Sequence, residues 1–340
     1  MTLSFPKRPL AAVVVASLGA LAGTPASAEV LKDPQWQALA EARKFPELEQ
    51  ASSARLAAKP DDGEAWLAYT QSVLSLRGDA ASARRDAALV KLQACVKAAP
   101  QIAACHYGVG AVTGVQVMTQ GLMKAAFGVG QVRDEFIKAL EIDPQFFSAR
   151  SGLVQFYLMA PGIAGGSVSK ARDAAQAAAA RQPEYAKVLN AAILQYDDKP
   201  ADAERLLASV QAGADASLAE ELRGQWVSLG FGYLEAKQPA KARAVFERVA
   251  KDKPDLVEAH YGLARALIEQ QQWDAGIAEL QAAAKLPGHD TLPIDHRLGV
   301  AWEGKGDVAQ AKAAYARFLA LPGQNPRNVD DVKKRLAALG

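Results

Sequence analysis

The residues best suited to metal or proton chemistry are four histidines, His106, His260, His289 and His296. None stands at metal-ligand spacing from another histidine or from a cysteine. The sequence holds no Gly-x-Ser-x-Gly and no His-Glu-x-x-His, the spacings that expose a nucleophile on a sharp turn or set two zinc ligands on one helix face. Cys95 and Cys105 are too far apart for a Cys-x-x-Cys pair, which argues against dithiol redox chemistry. The acids are scattered beside Lys and Arg, the pattern of solvated helix faces. One stretch has the composition to cradle an anion: Ala160-Pro161-Gly162-Ile163-Ala164-Gly165-Gly166-Ser167, a glycine-rich loop ahead of a helix that carries Lys170 and Arg172. It lacks the Gly-Lys-Ser/Thr of a nucleotide loop, and a structural turn is the favoured reading. No catalytic residue, cofactor or metal site is expected, and the chain reads as a non-enzyme.

Any function must therefore rest on how helices are stacked. Within residues 223–255, Trp226, Leu229, Gly230 and Tyr233 fall at i, i+3, i+4 and i+7, one face of a helix. After the polar turn Ala236-Lys237-Gln238-Pro239, a second stripe runs through Ala242, Phe246, Val249 and Ala250, and Pro254 stops it. Large residues at positions 4, 7 and 11, small ones at 8 and 20, an aromatic at 24 and proline at 32 resemble a tetratricopeptide repeat. His260, Leu263, Ala264, Leu267, Gly276, Leu280 and Ala283 repeat the pattern up to Pro287. Leu298, Gly299, Trp302, Gly306, Ala311 and Tyr315 repeat it again up to Pro322. Gly230, Ala264 and Gly299 are 34 and 35 residues apart, so the three copies are in phase.

A chain of 340 residues is long for one globular core but not for a solenoid, whose units pack only on their neighbours. Pro60, Pro100, Pro144, Pro183, Pro254, Pro287 and Pro322 are expected at the ends of second helices. Their spacings give about eight hairpins, with extra residues in the units closed by Pro100, Pro144 and Pro183. One hairpin without its own proline is expected over residues 185–196 and 201–210. In the first unit Trp36, Leu39 and Ala40 face inward, but the next place on that stripe is Arg43, a departure from the family pattern. In the second, Arg77-Gly78-Asp79 reads as a polar turn rather than an adhesion tripeptide. The third is rich in glycine, with Met118 and Met123, and reads as a long hairpin with close helix contacts before it reads as a soft ligand surface. Val329, Val332, Leu336 and Leu339 form a one-sided stripe that suits a capping helix over residues 325–340. The expected division is thus 1–28 as a signal peptide, 29–222 as degenerate repeats with insertions, 223–324 as three well-matched repeats, and the cap. The fold class is all-α, a right-handed superhelical solenoid.

Lys7 and Arg8 precede an apolar run over 10–21 that is too short to span a bilayer, and Ala26-Ser27-Ala28 fits a small-residue cleavage site. A mature chain beginning at Glu29, soluble in the periplasm of a Gram-negative bacterium, is expected. Residues 1–28 hold two of the 39 basic residues and none of the 37 acids, so the remainder is formally neutral. A neutral chain has no broad electrostatic attraction for nucleic acid or anionic membrane, and neither is expected as a partner. Gln155-Phe156-Tyr157 with the 160–167 loop resembles a subgroup of exported bacterial tetratricopeptide proteins, which implies no particular activity.

The family resemblance implies that positions 2, 5, 9, 12 and 13 of the first helices line a groove that grips a peptide or a partner protein. Here these include Tyr107, Phe231, Glu235, Tyr261, Arg265, Glu269, His296 and Glu303, and Phe231, Tyr261, Arg265 and His296 are expected to share one surface. It also puts Cys95 and Cys105 on antiparallel neighbours across one short turn, which favours a disulfide over two buried thiols in an oxidising compartment. The alternative function is a small-molecule binder or transporter accessory that uses residues 108–130 and 160–167.

Overall fold

The computed structural model describes residues 31–76, 80–120 and 128–340. The signal-peptide reading, the Arg77-Gly78-Asp79 turn and Met123 lie outside them. The described residues form seventeen α-helices, two single 3-10 turns and no strand. Eight antiparallel pairs follow one another: α1 (Pro34–Glu41) with α2 (Phe45–Ala58), α3 (Gly63–Leu74) with α4 (Ala81–Ala98), α5 (Ala103–Gln120) with α6 (Val129–Ile142), and α7 (Phe147–Met159) with α8 (Val168–Gln176). Then come α9 (Pro183–Tyr196) with α10 (Pro200–Ala208), α11 (Ala216–Glu235) with α12 (Pro239–Asp252), α13 (Val257–Glu269) with α14 (Trp273–Ala283), and α15 (Ile294–Lys305) with α16 (Val308–Ala320). A single helix, α17 (Pro326–Ala338), packs on α16 and buries Val332 beside Tyr315 and Phe318. The extra residues expected before Pro144 appear as length, since α4 and α5 have 18 residues each against 14 in α12.

Two readings of the punctuation change. Pro183 opens α9 at its first turn, where its missing N–H costs nothing, instead of closing the helix before it. The proposed division at 222/223 falls inside α11, which begins seven residues earlier because Asp215 caps it through the Leu218 N–H.

Five of the hairpin turns share one geometry. Arg43, Asp198, Lys237 and Gln271 sit at φ 53°, 60°, 57° and 59°, and Gly306 at 87°, each just past a first helix. The next residue's N–H reaches back five positions to a helix carbonyl, as in Lys44 to Leu39 (2.8 Å), Gln238 to Tyr233 (2.8 Å) and Asp307 to Trp302 (2.9 Å). This closure satisfies carbonyls that the helix end leaves open.

Between hairpins, aromatic rings wedge against glycines. Phe136 lies between Gly110 and Gly152, and Phe246 between Gly230 and Gly262. A Cβ on Gly262 would lie 2.2 Å from the Phe246 ring, so only glycine permits this spacing of α12 and α13.

A hydrogen bond to a proline carbonyl fixes four of the first helices. Trp66 Nε1 donates to Pro60 O (2.9 Å), His106 Nε2 to Pro100 O (3.0 Å), Arg150 Nη2 to Pro144 O (2.6 Å) and His260 Nε2 to Pro254 O (2.8 Å), each from six residues downstream. The two histidines place Nδ1 against Glu135 (2.6 Å) and Glu279 (2.7 Å). Trp226 occupies the same slot, but the residue six before it is Glu220, inside the early-starting α11. Its Nε1 is buried without a partner, and its ring instead lies 4.2 Å under the Arg248 guanidinium.

Cys95 of α4 and Cys105 of α5 are joined by a disulfide with Cα atoms 6.0 Å apart, which staples the second hairpin to the third.

Candidate partner-binding groove

The first helices α11, α13 and α15 lie side by side. Phe231 of α11 meets Tyr261 of α13 at 6.3 Å between ring centroids and Phe246 of α12 at 5.0 Å. Arg265, one turn along α13 from Tyr261, lays its guanidinium over Phe231 at 5.6 Å. Arg297 of α15 stands next to it. Both arginines are half-buried, both bury their Nε–H, and neither finds an acceptor or an ion-pair partner among the described residues. Burial is the main cause that pulls the Arg265 guanidinium below its ordinary pKa. The Arg297 charge pulls the same way, while Tyr261, Glu269 and Glu235 oppose it. Two guanidinium groups held together with unspent donors form a site that an anionic group would relieve by charge-assisted hydrogen bonds. Glu235 and Glu269 are exposed at the far ends of α11 and α13 and form an acidic rim.

The other predicted groove residues lie elsewhere. Tyr107 is 2% exposed, packed between Phe136 (6.2 Å) and Phe146 (5.1 Å), and belongs to the core. Tyr261 is 4% exposed, so it supports Phe231 from beneath and offers little surface of its own. His296 leaves the expected four-residue surface: it is 3% exposed, stacked on Phe318 (5.4 Å), with Nε2 on Asp331 Oδ2 (2.8 Å) and Nδ1 buried without a partner. Desolvation is the main cause that lowers its pKa, and Arg297 and Arg335 pull the same way, while Asp331 opposes them. Glu303 is taken up by Tyr315 OH (2.6 Å) and Arg335 Nη1 (3.1 Å), and Arg335 Nε also reaches Asp331 Oδ2 (2.9 Å). These five side chains tie α17 to α15 and α16, and they form a structural joint and not a binding surface. The missed groove residue is Arg297, one position past the predicted His296. A cation between the buried His296 and Leu298 was the available signal.

The 160–167 loop is a built turn. The Gly166 N–H donates to Pro161 O (3.1 Å), the Ser167 N–H to Tyr157 O (2.7 Å), and Ser167 Oγ caps α8 by accepting from the Lys170 N–H (3.3 Å). A Cβ on Gly166 would lie 1.7 Å from Ala160 O. Lys170 Nζ sits over the Tyr157 ring at 5.9 Å, and Arg172 pairs with Asp197, so both cations suggested for an anion are engaged. Among the described residues no three His, Cys, Asp or Glu side chains gather as for a metal ion.

The tetratricopeptide-repeat family model matches residues 233–292, which hold α12, α13 and α14 and carry both Tyr261 and Arg265. This part of the chain carries tetratricopeptide repeats, and the helical solenoid around it is of the same fold. Among solved structures, the chain is similar to one in the APC/C hetero-tetramer Cut9-Hcn1, with a TM-score of 0.50 and 16% identity over 87% of this chain and 54% of that one. It spans about half the length of that relative. A tetratricopeptide repeat protein from Parabacteroides merdae matches at TM-score 0.47 and 11% identity, over 86% of this chain and 98% of that one. PilF of Pseudomonas aeruginosa matches at 0.45 and 15%, over 68% and 97%. At such identities the likeness is one of fold. No curated protein matches the sequence. Among the described residues no helix is long and apolar enough to cross a membrane.

Proposed function

We propose that this tetratricopeptide-repeat protein is a non-catalytic scaffold that holds an acidic segment of a partner protein against Phe231, Arg265 and Arg297. A repeat fold of this type is suited to protein–protein interaction. The observation that carries the reading is the pair of half-buried guanidinium groups without acceptors on adjacent first helices. An arginine over an aromatic ring combines contact area with directed donors, the combination found in interface anchors. The proposed setting is the periplasm of a Gram-negative bacterium, after cleavage between Ala28 and Glu29, supported by the basic, apolar, Ala-x-Ala succession of residues 7–28.

The test is fluorescence polarisation with a labelled hexaglutamate peptide, and a hexalysine peptide as control. The chain should bind the acidic peptide, lose it as salt is raised, and ignore the basic one. The double change Arg265→Gln and Arg297→Gln should abolish binding while the melting temperature holds or rises, because it removes two unsatisfied charges. Equal binding by that variant would overturn the reading. Fractionation with N-terminal sequencing tests the setting, and a cytosolic chain with Met1 intact would refute it.

A further inference from the structure

We infer that the first hairpin, α1 with α2, is a releasable clasp that docks on the start of α13 and closes the solenoid into a ring. The observations concern Arg43, the residue where the first unit departs from the repeat pattern. Arg43 sits in the α1–α2 turn at φ 53°, and its side chain leaves its own hairpin. Its Nη2 donates to both carboxylate oxygens of Glu258, 3.0 Å from each, across 215 positions of sequence. In a stack whose units touch only their neighbours, such a contact arises when the superhelix has come round on itself.

The far side is shaped to receive the arginine. Gly288 follows α14 at φ 83°, and a Cβ there would lie 2.4 Å from Arg43 Nη1 and 3.2 Å from its Cδ and Cζ. The left-handed backbone and the missing side chain thus leave a slot that the Arg43 side chain fills. Glu258 precedes Arg265 by seven residues, two turns along α13, which puts both on one helix face. The clasp therefore meets the same face as the groove arginines.

The docking is polar and shallow. Leu31, Trp36 and Leu48 of the first unit belong to an apolar cluster that runs as far as Leu218, whereas Val257, Ile277 and Ile294 belong to another. Among the described residues no buried apolar cluster spans the seam. The Arg43–Glu258 pair keeps 31% and 24% of its side-chain surface in water, so its attraction is modest and screened by salt. A ring held in this way has a closed and an open state in exchange, whatever the groove holds.

The experiment uses the oxidised mature chain with spin labels at Lys44→Cys and Asp290→Cys, both exposed and on opposite sides of the seam. Pulsed dipolar spectroscopy should show one narrow, short distance population at low salt. That population should be lost in Arg43→Glu, in Glu258→Arg and at about 1 M salt, where the screening length is about 3 Å. It should return in the double swap Arg43→Glu with Glu258→Arg. Gly288→Ala, which fills the slot and leaves the charges intact, should also lose it. A broad, long population in the labelled parent, or a short one that survives both single reversals, would overturn the clasp. Far-ultraviolet circular dichroism checks that each variant keeps its helices.

Discussion

The two halves of the stack are held together by different means. Most buried apolar side chains of the first four hairpins and α9 form a single cluster, which also takes in Leu218, and the Cys95–Cys105 disulfide ties two of these hairpins to each other. From Ala191 onward the same kinds of residue are divided among three clusters. Polar side chains bridge the elements there: Tyr233 OH to Glu204 Oε2 (2.5 Å), and the joint of His296, Asp331, Glu303, Tyr315 and Arg335. A continuous core unfolds as one body, whereas a stack of separate clusters can open unit by unit. The regular repeats, which look most like the family, are thus the half whose core is divided, and they carry the unpaired arginines. Regularity of sequence is not the same as continuity of core.

Breaking the wedges gives the largest effect. Phe246→Ala removes the ring that fills the space between Gly230 and Gly262 and should cost about 3–5 kcal/mol. Hydrogen exchange should show the loss over α11–α14 while α3–α6 stay protected. Loss of protection across the whole chain would mean that the halves are one cooperative unit. Cys95→Ser with Cys105→Ser should cost about 2–3 kcal/mol by the chain-entropy account of a ten-residue loop, read as a lower melting temperature confined to the first half.

Acid sharpens the contrast at the other end. Burial lowers the His296 pKa below that of the unfolded chain, so below about pH 6.5 the unfolded state takes up a proton that the folded state refuses. The stability contributed at His296 is complete above that pH and falls as pH drops toward the folded pKa. Asp331 has a lowered pKa, and its share is lost only at more acidic pH, where its carboxylate is protonated. The protection factors of α15–α17, corrected for the intrinsic exchange rate at each pH, should therefore fall from about pH 6.5 downward, and His296→Phe should flatten that part of the profile. The smallest effect is a gain: Lys237→Gly relieves a non-glycine residue at φ 57° and should stabilise by about 0.5–1 kcal/mol in thermal melts.

The hairpins were legible in the sequence because their cause is local. Small residues facing aromatics at fixed spacing, as with Gly230, Gly262 and Phe246, leave a period that survives any change of surface. The groove was legible in part. Phe231 and Arg265, at position 9, lie on the expected surface, but Tyr107 and His296, at position 5, are buried, because the neighbouring Phe146 and α17 cover them. Position in a repeat fixes direction, and burial depends on what the next element brings. The Arg43–Glu258 contact had no local signature beyond a residue out of pattern, since its partner is set by how far the superhelix turns.

The proline carbonyls have a consequence for how such chains diversify. A tertiary amide has no hydrogen to give, so the oxygen of Pro60, Pro100, Pro144 or Pro254 poses a one-sided demand for a proton from six residues downstream. An indole, two imidazoles and a guanidinium all answer it here. The junction works as a socket defined by a vector and a polarity, indifferent to the plug. Units related by this rule can drift to unrecognisable residues at their most prominent position and still stack in register. A similarity search that scores letters will then miss repeats that the chain itself still counts.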